Sequence, residues 1–402
     1  MTTKTFAFGL VLVAGCMKAN PNYLSPDGNN GSNGSNGSNG SDGGMGSGCT
    51  ATSCSAAAPV CESNGSCGPC ESDADCSGAT PTCLPSGACD GDADLAYVTA
   101  SGSDTNACTN AMPCATITHA ITVKSTVVLT GTANDDGLEI TQGADATILG
   151  RGSAVIAADS GNVLTISSGN LELYDTQLYC KPGGIAGINS STSGTLTLQD
   201  DGIGVCPTGI KMSGGALVAN RIEVYSNTGG GISLTSSAFD IENGLIHDNG
   251  TGGTGAGASQ FGGVSITSSP SSNDTIQFTT IANNHATTGV VGGVLCTGQS
   301  PANALTFSND IIANNDQLAA TVETSGGNCG YTYTDFYPAL AKVDGSGNGS
   351  GDPMFVSTTD FHITANSAAK DAAAPNASLK IDFYGNARPA GSGYDMGADE
   401  FQ

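Results

Sequence analysis

The chain contains no tryptophan, 5% aromatic residues, and 11 lysines and arginines in 402 residues. Each shortage excludes something. Against so few basic side chains stand 36 Asp and Glu, a formal net charge of −25. Such a surface repels polyanions, and nucleic acid is excluded as a partner because phosphate binding requires basic groups that displace counterions. Arg151, Arg221 and Arg388 are the whole arginine supply, and the four histidines, His119, His247, His285 and His362, share no motif. No segment is long and apolar enough to cross a membrane as a mature helix. Few large aromatics argue against one thick core, whereas 38% hydrophobic residues suit a core assembled from many short segments. What the chain has in quantity is glycine, 59 residues, and cysteine, 15.

Residues 1–16, MTTKTFAFGLVLVAGC, run from a positive Lys4 through a short apolar stretch to small residues ending in Cys16. They resemble a bacterial lipoprotein signal peptide, with Cys16 at the lipobox cysteine that would be lipidated and Val13 where leucine is commoner. The competing reading is an ordinary secretory signal. The resemblance implies an exported chain, lipid-anchored to the bacterial outer membrane or cell surface, with the membrane as a partner through that lipid. Residues 17–48 are a Gly/Ser/Asn tract with almost nothing to bury, a disordered tether reaching roughly 30 Å. Its Asn-Gly-Ser triplets match a glycosylation pattern, and low-complexity repetition is the simpler reading.

Residues 49–94 form a cysteine-rich module containing Cys49, Cys54, Cys61, Cys67, Cys70, Cys76, Cys83 and Cys89. It is duplicated: CSAAAPVCESNGSC aligns with CSGATPTCLPSGAC without a gap. An even number of cysteines in a small exported segment with few large apolar residues implies disulfides in place of a core. Zinc competes, since Cys67-Gly68-Pro69-Cys70 has CxxC spacing. The module resembles Cys-rich modules in exported proteins of predatory and soil delta-proteobacteria. Beyond it lie Cys108, Cys114, Cys180, Cys206, Cys296 and Cys329, for which neighbouring pairs, 108 with 114, 180 with 206 and 296 with 329, would staple adjacent structure.

The remainder repeats. TGIKMSGG, GGISLTSS, GGVSITSS and GGVLCTG place Ile210, Ile232, Val264 and Val294 in register, and each is followed by a second apolar run, RIEVYSN, GLIHDNG, TIANN and IIANN. Ile or Val alternating with Ser or Thr reads as narrow strands with one face inward. Such a unit cannot bury its apolar face alone, so units must stack. Asn227, Asn249, Asn284 and Asn315 close successive units, where asparagine tolerates a left-handed turn and can bond its equivalent one rung away. The expected fold is all-β, a parallel β-helix of some ten rungs, roughly 50 Å long at about 4.8 Å per rung. Upstream, Leu138, Ile140, Ile148, Val155, Leu164, Ile166, Leu171 and Leu173 continue the inward alternation.

The segment AYVTASGSDTNACTNAMPCATITHAITV resembles the first turns of the right-handed, pectate-lyase-like β-helix superfamily, which implies an N-terminal cap over 95–124 with a helix in Pro113–Val123. Residues 351–402, with Asp352-Pro353-x-Phe355, Asp371, Asp382, Gly385, Arg388-Pro389 and Asp395-Met396-Gly397-Ala398-x-Glu400, resemble the terminal segment of choice-of-anchor Q proteins. They are expected to form a C-terminal cap, with the β-helix occupying 95–402. This superfamily contains lyases, hydrolases, adhesins and surface proteins, so function has to come from the residues.

Lyases of this fold need carboxylates for Ca²⁺ and a free basic side chain. Arg221 is the one arginine on a repeat strand and reads as a solvated outward charge; Arg388 is expected to pair with Asp382 or Asp395, and Arg151 lies in a glycine turn. Hydrolases need paired carboxylates. Asp200-Asp201 and Asp135-Asp136 lack accompanying elements and read as solvent-facing corners. His247 and His285 read as members of a stacked polar ladder. The acidic loops starting at Asp90 and Asp344 depart from the calcium-loop pattern at its glycine or twelfth position. No catalytic residue, metal site or cofactor is therefore assigned. The expected function is a surface-anchored, noncatalytic β-helix lipoprotein contacting glycans or other cell-surface components; the alternative is a divergent polysaccharide lyase or glycoside hydrolase.

Overall fold

The structure, a computed structural model, describes residues 54–63, 66–141, 145–191, 193–251, 259–267, 274–287, 290–297, 305–317, 320–321, 324–325, 329–338 and 345–402. Cys16, the tether 17–48 and Cys49 lie outside them. From Leu95 onward the chain coils into an all-β parallel solenoid of about 7 turns. The expectation of ten rungs is corrected because the first strands contribute to one wall only, as the pairing of Leu95–Thr99 with Thr126–Thr132 shows.

Each turn supplies three walls. What we call the open wall stacks Leu138–Ile140, Gly161–Ile166, Gly184–Ser190, Thr208–Ser213, Ile232–Thr235, Val264–Thr267 and Val294–Thr297. Ile210, Ile232, Val264 and Val294 are direct register partners along it. The second, or groove, wall carries Thr195–Gln199, Ala216–Asn220, Ala238–Glu242, Thr275–Gln277, Leu305–Ser308 and Cys329–Thr332. The third holds Gly202–Gly204, Glu223–Tyr225, Leu245–His247, Thr280–Ala282, Ile311–Ala313 and Asp335–Tyr337. Long strands at Ala146–Ala158 and Leu171–Cys180 bend from the second wall into the third.

Alternation decides which side chains meet inside. On the groove wall Ile148, Leu173, Leu198, Ala219, Ile241, Ile276, Phe307 and Tyr331 form one buried column. Each large aliphatic side chain so buried contributes about 1.5–3 kcal/mol. Upstream, the inward residues are Ala154 and Ile156, and Val155, expected inside, is half exposed.

Between the second and third walls the chain turns on one residue per rung. Asp175, Asp200, Arg221, Asn243, Phe278, Asn309 and Tyr333 all have φ between +50° and +61°, a left-handed conformation uncommon outside glycine. Between the third and open walls stands the asparagine ladder. Asn227, Asn249, Asn284 and Asn315 are fully buried. Asn249 Oδ1 accepts from Asn227 N and Nδ2 at 3.1 and 2.9 Å, and Asn315 Oδ1 likewise from Asn284 at 2.9 and 2.8 Å. Cys206 heads the column, its N–H donating to Asn227 Oδ1.

Disulfides join Cys54–Cys67, Cys70–Cys83, Cys76–Cys89, Cys108–Cys114, Cys180–Cys206 and Cys296–Cys329, and Cys61 is disulfide-bonded as well. Cys67 and Cys70 belong to different bridges, which removes the zinc reading of that CxxC. The second half of the module docks on the first rungs: Leu84 packs against Leu95, Tyr97, Val128 and Leu149. Arg151 there is a strand residue, 5% exposed, whose Nε meets Asp73 Oδ2 at 2.9 Å and whose Nη2 donates to the Cys83 carbonyl.

The N-terminal opening is covered by the helix Ile117–Val123, begun by Thr116 accepting from His119 N. Asp135 also accepts from the backbone N–H groups of Ile117 and Thr118 at 2.7 and 3.0 Å, so it holds a helix start and is no free corner. Residues 351–402 lie along the outside of the third wall as a strap. Phe361 packs on Leu245 and Ala282, and Ala398 N donates to Thr280 Oγ1 at 2.9 Å.

Candidate functional site

The strap leaves a groove of about 640 Å³ against the second wall, within the usual size range of ligand sites. Its near bank is the outward residue at the end of each strand: Asn220, Glu242, Gln277, Ser308 and Thr332. Alternation forces these outward because their neighbours Ala219, Ile241, Ile276, Phe307 and Tyr331 point in. Tyr333 adds a half-buried ring. The far bank is Ala374 and Asn376–Ile381, which includes Lys380. Two turn asparagines fix that bank: Asn309 Oδ1 accepts from Ala374 N at 2.7 Å, and Asn243 Nδ2 donates to the Ile381 carbonyl at 3.2 Å.

Glu242 accepts from Gln277 Nε2 one rung on. Burial, helped by the charge of Asp240, raises its carboxyl above the usual range. Asp240 stands two residues earlier on the same face and accepts from Thr275 Oγ1 at 2.7 Å.

Arg221 lies at the floor of this groove, and its expected solvated state is corrected. It is 7% exposed, with Nε and Nη2 donating to Asp200 Oδ1 and Oδ2 at 2.6 and 2.7 Å. The turn geometry aims both side chains along the same column, where each neutralises the other. Asp201 is likewise no solvent-facing corner: 1% exposed, it accepts from Thr176 N and Oγ1 and from Gln199 N. Burial holds its carboxyl well above the ordinary range. Asp136 accepts from Asp159 N.

Arg388 pairs with Glu400 at 3.3 Å instead of Asp382 or Asp395, and it donates to the Asp395 and Gly397 carbonyls. The Arg388–Glu400 pair is fully buried within the strap. Asp382 and Asp395 accept backbone N–H groups instead, from Asn386 and Glu400 and from Asp371 and Phe401.

His247 and His285 are not equivalent, because His247 registers with Ala282 and His285 with Asp316. His247 sits under Phe361 and stacks on Tyr225 one rung away. Burial lowers its pKa, but hydrogen bonds to Asp248 and Glu223 at 2.8 and 2.9 Å outweigh that and raise it. His362 bonds Asp360 and stacks on Tyr384 at 3.8 Å. Among the described residues, the groups close enough to share a metal ion are Cys70, Cys76 and Cys83, and Cys108, Cys114 and His119; the cysteines of both are disulfide-bonded. Asp344 lies outside the described residues. No described helix is long and apolar enough to cross a membrane.

Sequence reasoning missed Glu242 and the far bank. The signal for Glu242 was present, since FDIEN alternates as its neighbours do and places two carboxylates outward on one strand.

The molecule is thus an all-β parallel β-helix with a polar lateral groove and a disulfide-rich N-terminal module. No protein-family model and no curated protein matches the chain. Among solved structures it is similar to the pectate lyase Pel9A, with TM-score 0.47 and 14% identity, over 77% of this chain and 96% of that one.

Proposed function

We propose that this chain is a glycan-contacting surface protein that binds polysaccharide in the groove without cleaving it. The observation that supports this most is the row Asn220, Glu242, Gln277, Ser308 and Thr332, one polar side chain per rung along an open groove. Repeated hydrogen bonders at rung spacing suit a polymer whose hydroxyls recur. Arg221 and Asp200, the residues best suited by type to base or acid work, are committed to each other. Binding should fall gradually as row residues are changed singly to Ala, measured by calorimetry against an oligosaccharide panel. Loss of all affinity in one variant would contradict a distributed contact.

A second reading is a hydrolase, favoured by the two carboxylates of Asp240 and Glu242 standing outward on one strand, since such enzymes work with a pair of carboxyl groups. Release of reducing ends that vanishes in Glu242→Gln would establish it.

Anchoring by a lipid on Cys16 at the bacterial outer membrane or cell surface completes the proposal. Cys16→Ser should leave an unprocessed precursor and abolish labelling by a clickable fatty acid in a bacterial host. Labelling that survives would refute the anchor.

A further inference from the structure

The three arginines of the chain are all withdrawn from recognition. Arg151 is paired with Asp73, Arg221 with Asp200 and Arg388 with Glu400, and they are 5%, 7% and 4% exposed. Bidentate guanidinium contact, the usual means of gripping a carboxylate, is therefore not offered by this protein's surface. Among the described residues, the one cation lining the groove besides Arg221 is Lys380. Facing outward on the same wall are the carboxylates of Glu172, Asp240 and Glu242, on a chain of net charge −25. A polyuronate would carry a carboxylate on every sugar into that field, with Lys380 as the described lysine to meet it.

We infer that the groove selects an uncharged polysaccharide, a hexosan or an N-acetylhexosamine chain, and discriminates against polyuronates. This rests on the glycan-binding reading given above. Amide and hydroxyl groups of Asn220, Gln277, Ser308 and Thr332 both donate and accept, as sugar hydroxyls and acetamido groups require. Rungs spaced by about 4.8 Å are close to the length of one sugar residue, so successive side chains can serve successive sugars. The ring of Tyr333 offers an apolar face for the C–H side of a pyranose. The carboxylates of Asp240 and Glu242 then act as the discriminating element, repelling the competitor while accepting hydrogen bonds from neutral hydroxyls.

The full chain is titrated calorimetrically, in chelator and in Ca²⁺, with oligosaccharides of equal length: cello-oligosaccharide and N-acetylchito-oligosaccharide as the uncharged probes, oligogalacturonate as the anionic probe and deacetylated chito-oligosaccharide as the cationic one. At least one uncharged probe should bind about tenfold or more tighter than oligogalacturonate, with little dependence on salt. Asp240→Lys with Glu242→Lys should narrow that gap. Preference for oligogalacturonate, or for the cationic probe by the same margin, overturns this inference and leaves glycan binding standing. Failure of every probe to bind overturns both. If the double variant is misfolded by circular dichroism, Glu242→Gln alone should still reduce the discrimination, and an unchanged ratio in that variant also overturns the assignment of Glu242.

Discussion

Asn249 and Asn284 are 35 residues apart in sequence and one rung apart in space: Asn284 Oδ1 accepts both the backbone N–H and the side-chain amide of Asn249, each at 3.0 Å. Asn249 passes the same pattern to Asn227, and its Nδ2 also satisfies the Val224 carbonyl. Asn249→Ala strips a buried N–H and a buried carbonyl of partners. A cost of about 2–4 kcal/mol is expected, read by denaturant unfolding. Ser213→Ala, on the exposed face of the open wall, should be near neutral, and equal losses in the two variants would contradict the ladder's role.

Ile232 and Val264 are fully buried, and Thr235, three residues along the same strand from Ile232, is exposed. Ile232→Asp or Val264→Asp should cost several kcal/mol or prevent folding, because a charge would be stranded against apolar rungs. Thr235→Asp should shift the melting temperature by no more than a few degrees. Comparable shifts for all three would refute the register.

Removing one partner of the Arg221–Asp200 pair takes the counter-charge away from a buried group. Arg221→Ala should destabilise by about 3–5 kcal/mol, and Asp200→Asn should be costly as well. The double variant should lose less than the sum of the singles, a coupling that a double-mutant cycle measures directly. Additive losses would show that the two side chains act independently.

Among the described residues, the disulfide module meets the solenoid through the Arg151–Asp73 ion pair, a small apolar contact at Leu84, and hydrogen bonds that include Arg151 to the Cys83 carbonyl, Asn110 N to Asp92 and Lys124 to the Ala93 carbonyl. Arg151→Ala should leave the Cys70–Cys83 and Cys76–Cys89 bridges intact by mass mapping while hydrogen exchange quickens across 70–90. Unchanged exchange there would mean that Leu84 and the Thr82–Tyr97 hydroxyl contact, 3.0 Å long, suffice.

Acidity should stabilise this protein. Burial raises Asp175, Asp335 and Asp399 from an ordinary 3.8 to about 6, and the Asp248 and Glu223 contacts raise His247 above 6.5. In each case the folded state binds a proton more readily than the unfolded state. The carboxyl contribution is fully present below pH 3.8 and lost as pH rises through about 6. That of His247 persists to higher pH and fades as its raised pKa is passed. The melting temperature should therefore be higher at pH 5 than at pH 8, and a rise toward pH 8 would contradict these assignments.

Most of the stack could be read from the sequence because period-two alternation fixes which side chains enter a core and the repeat fixes which of them are neighbours. Ile232 above Val264, and Asn227 above Asn249, follow from spacing alone. Alternation is silent about what covers an outward face. Arg221, Asp200 and Asp201 looked like solvent-facing groups because their local sequence is polar; their burial comes from stacking in the turn column and from Thr176, 25 residues away from Asp201. The groove needed the strap, whose partners on the wall are as much as 138 residues distant. Asp382 and Asp395 illustrate the same limit, since the sequence offers either as a partner for Arg388 and only three-dimensional placement selects Glu400.

The strap also changes how the coils relate to one another. A stack of repeats ordinarily interacts only with nearest neighbours and can open one unit at a time. Here one ribbon is hydrogen-bonded to Asn243 on one rung, to Thr280 and Asn283 on the next, and to Asn309 on the one after. It works as a splint. Under heat or pulling force these coils should part together, in one step, while the coils nearer the N-terminal helix lack that splint.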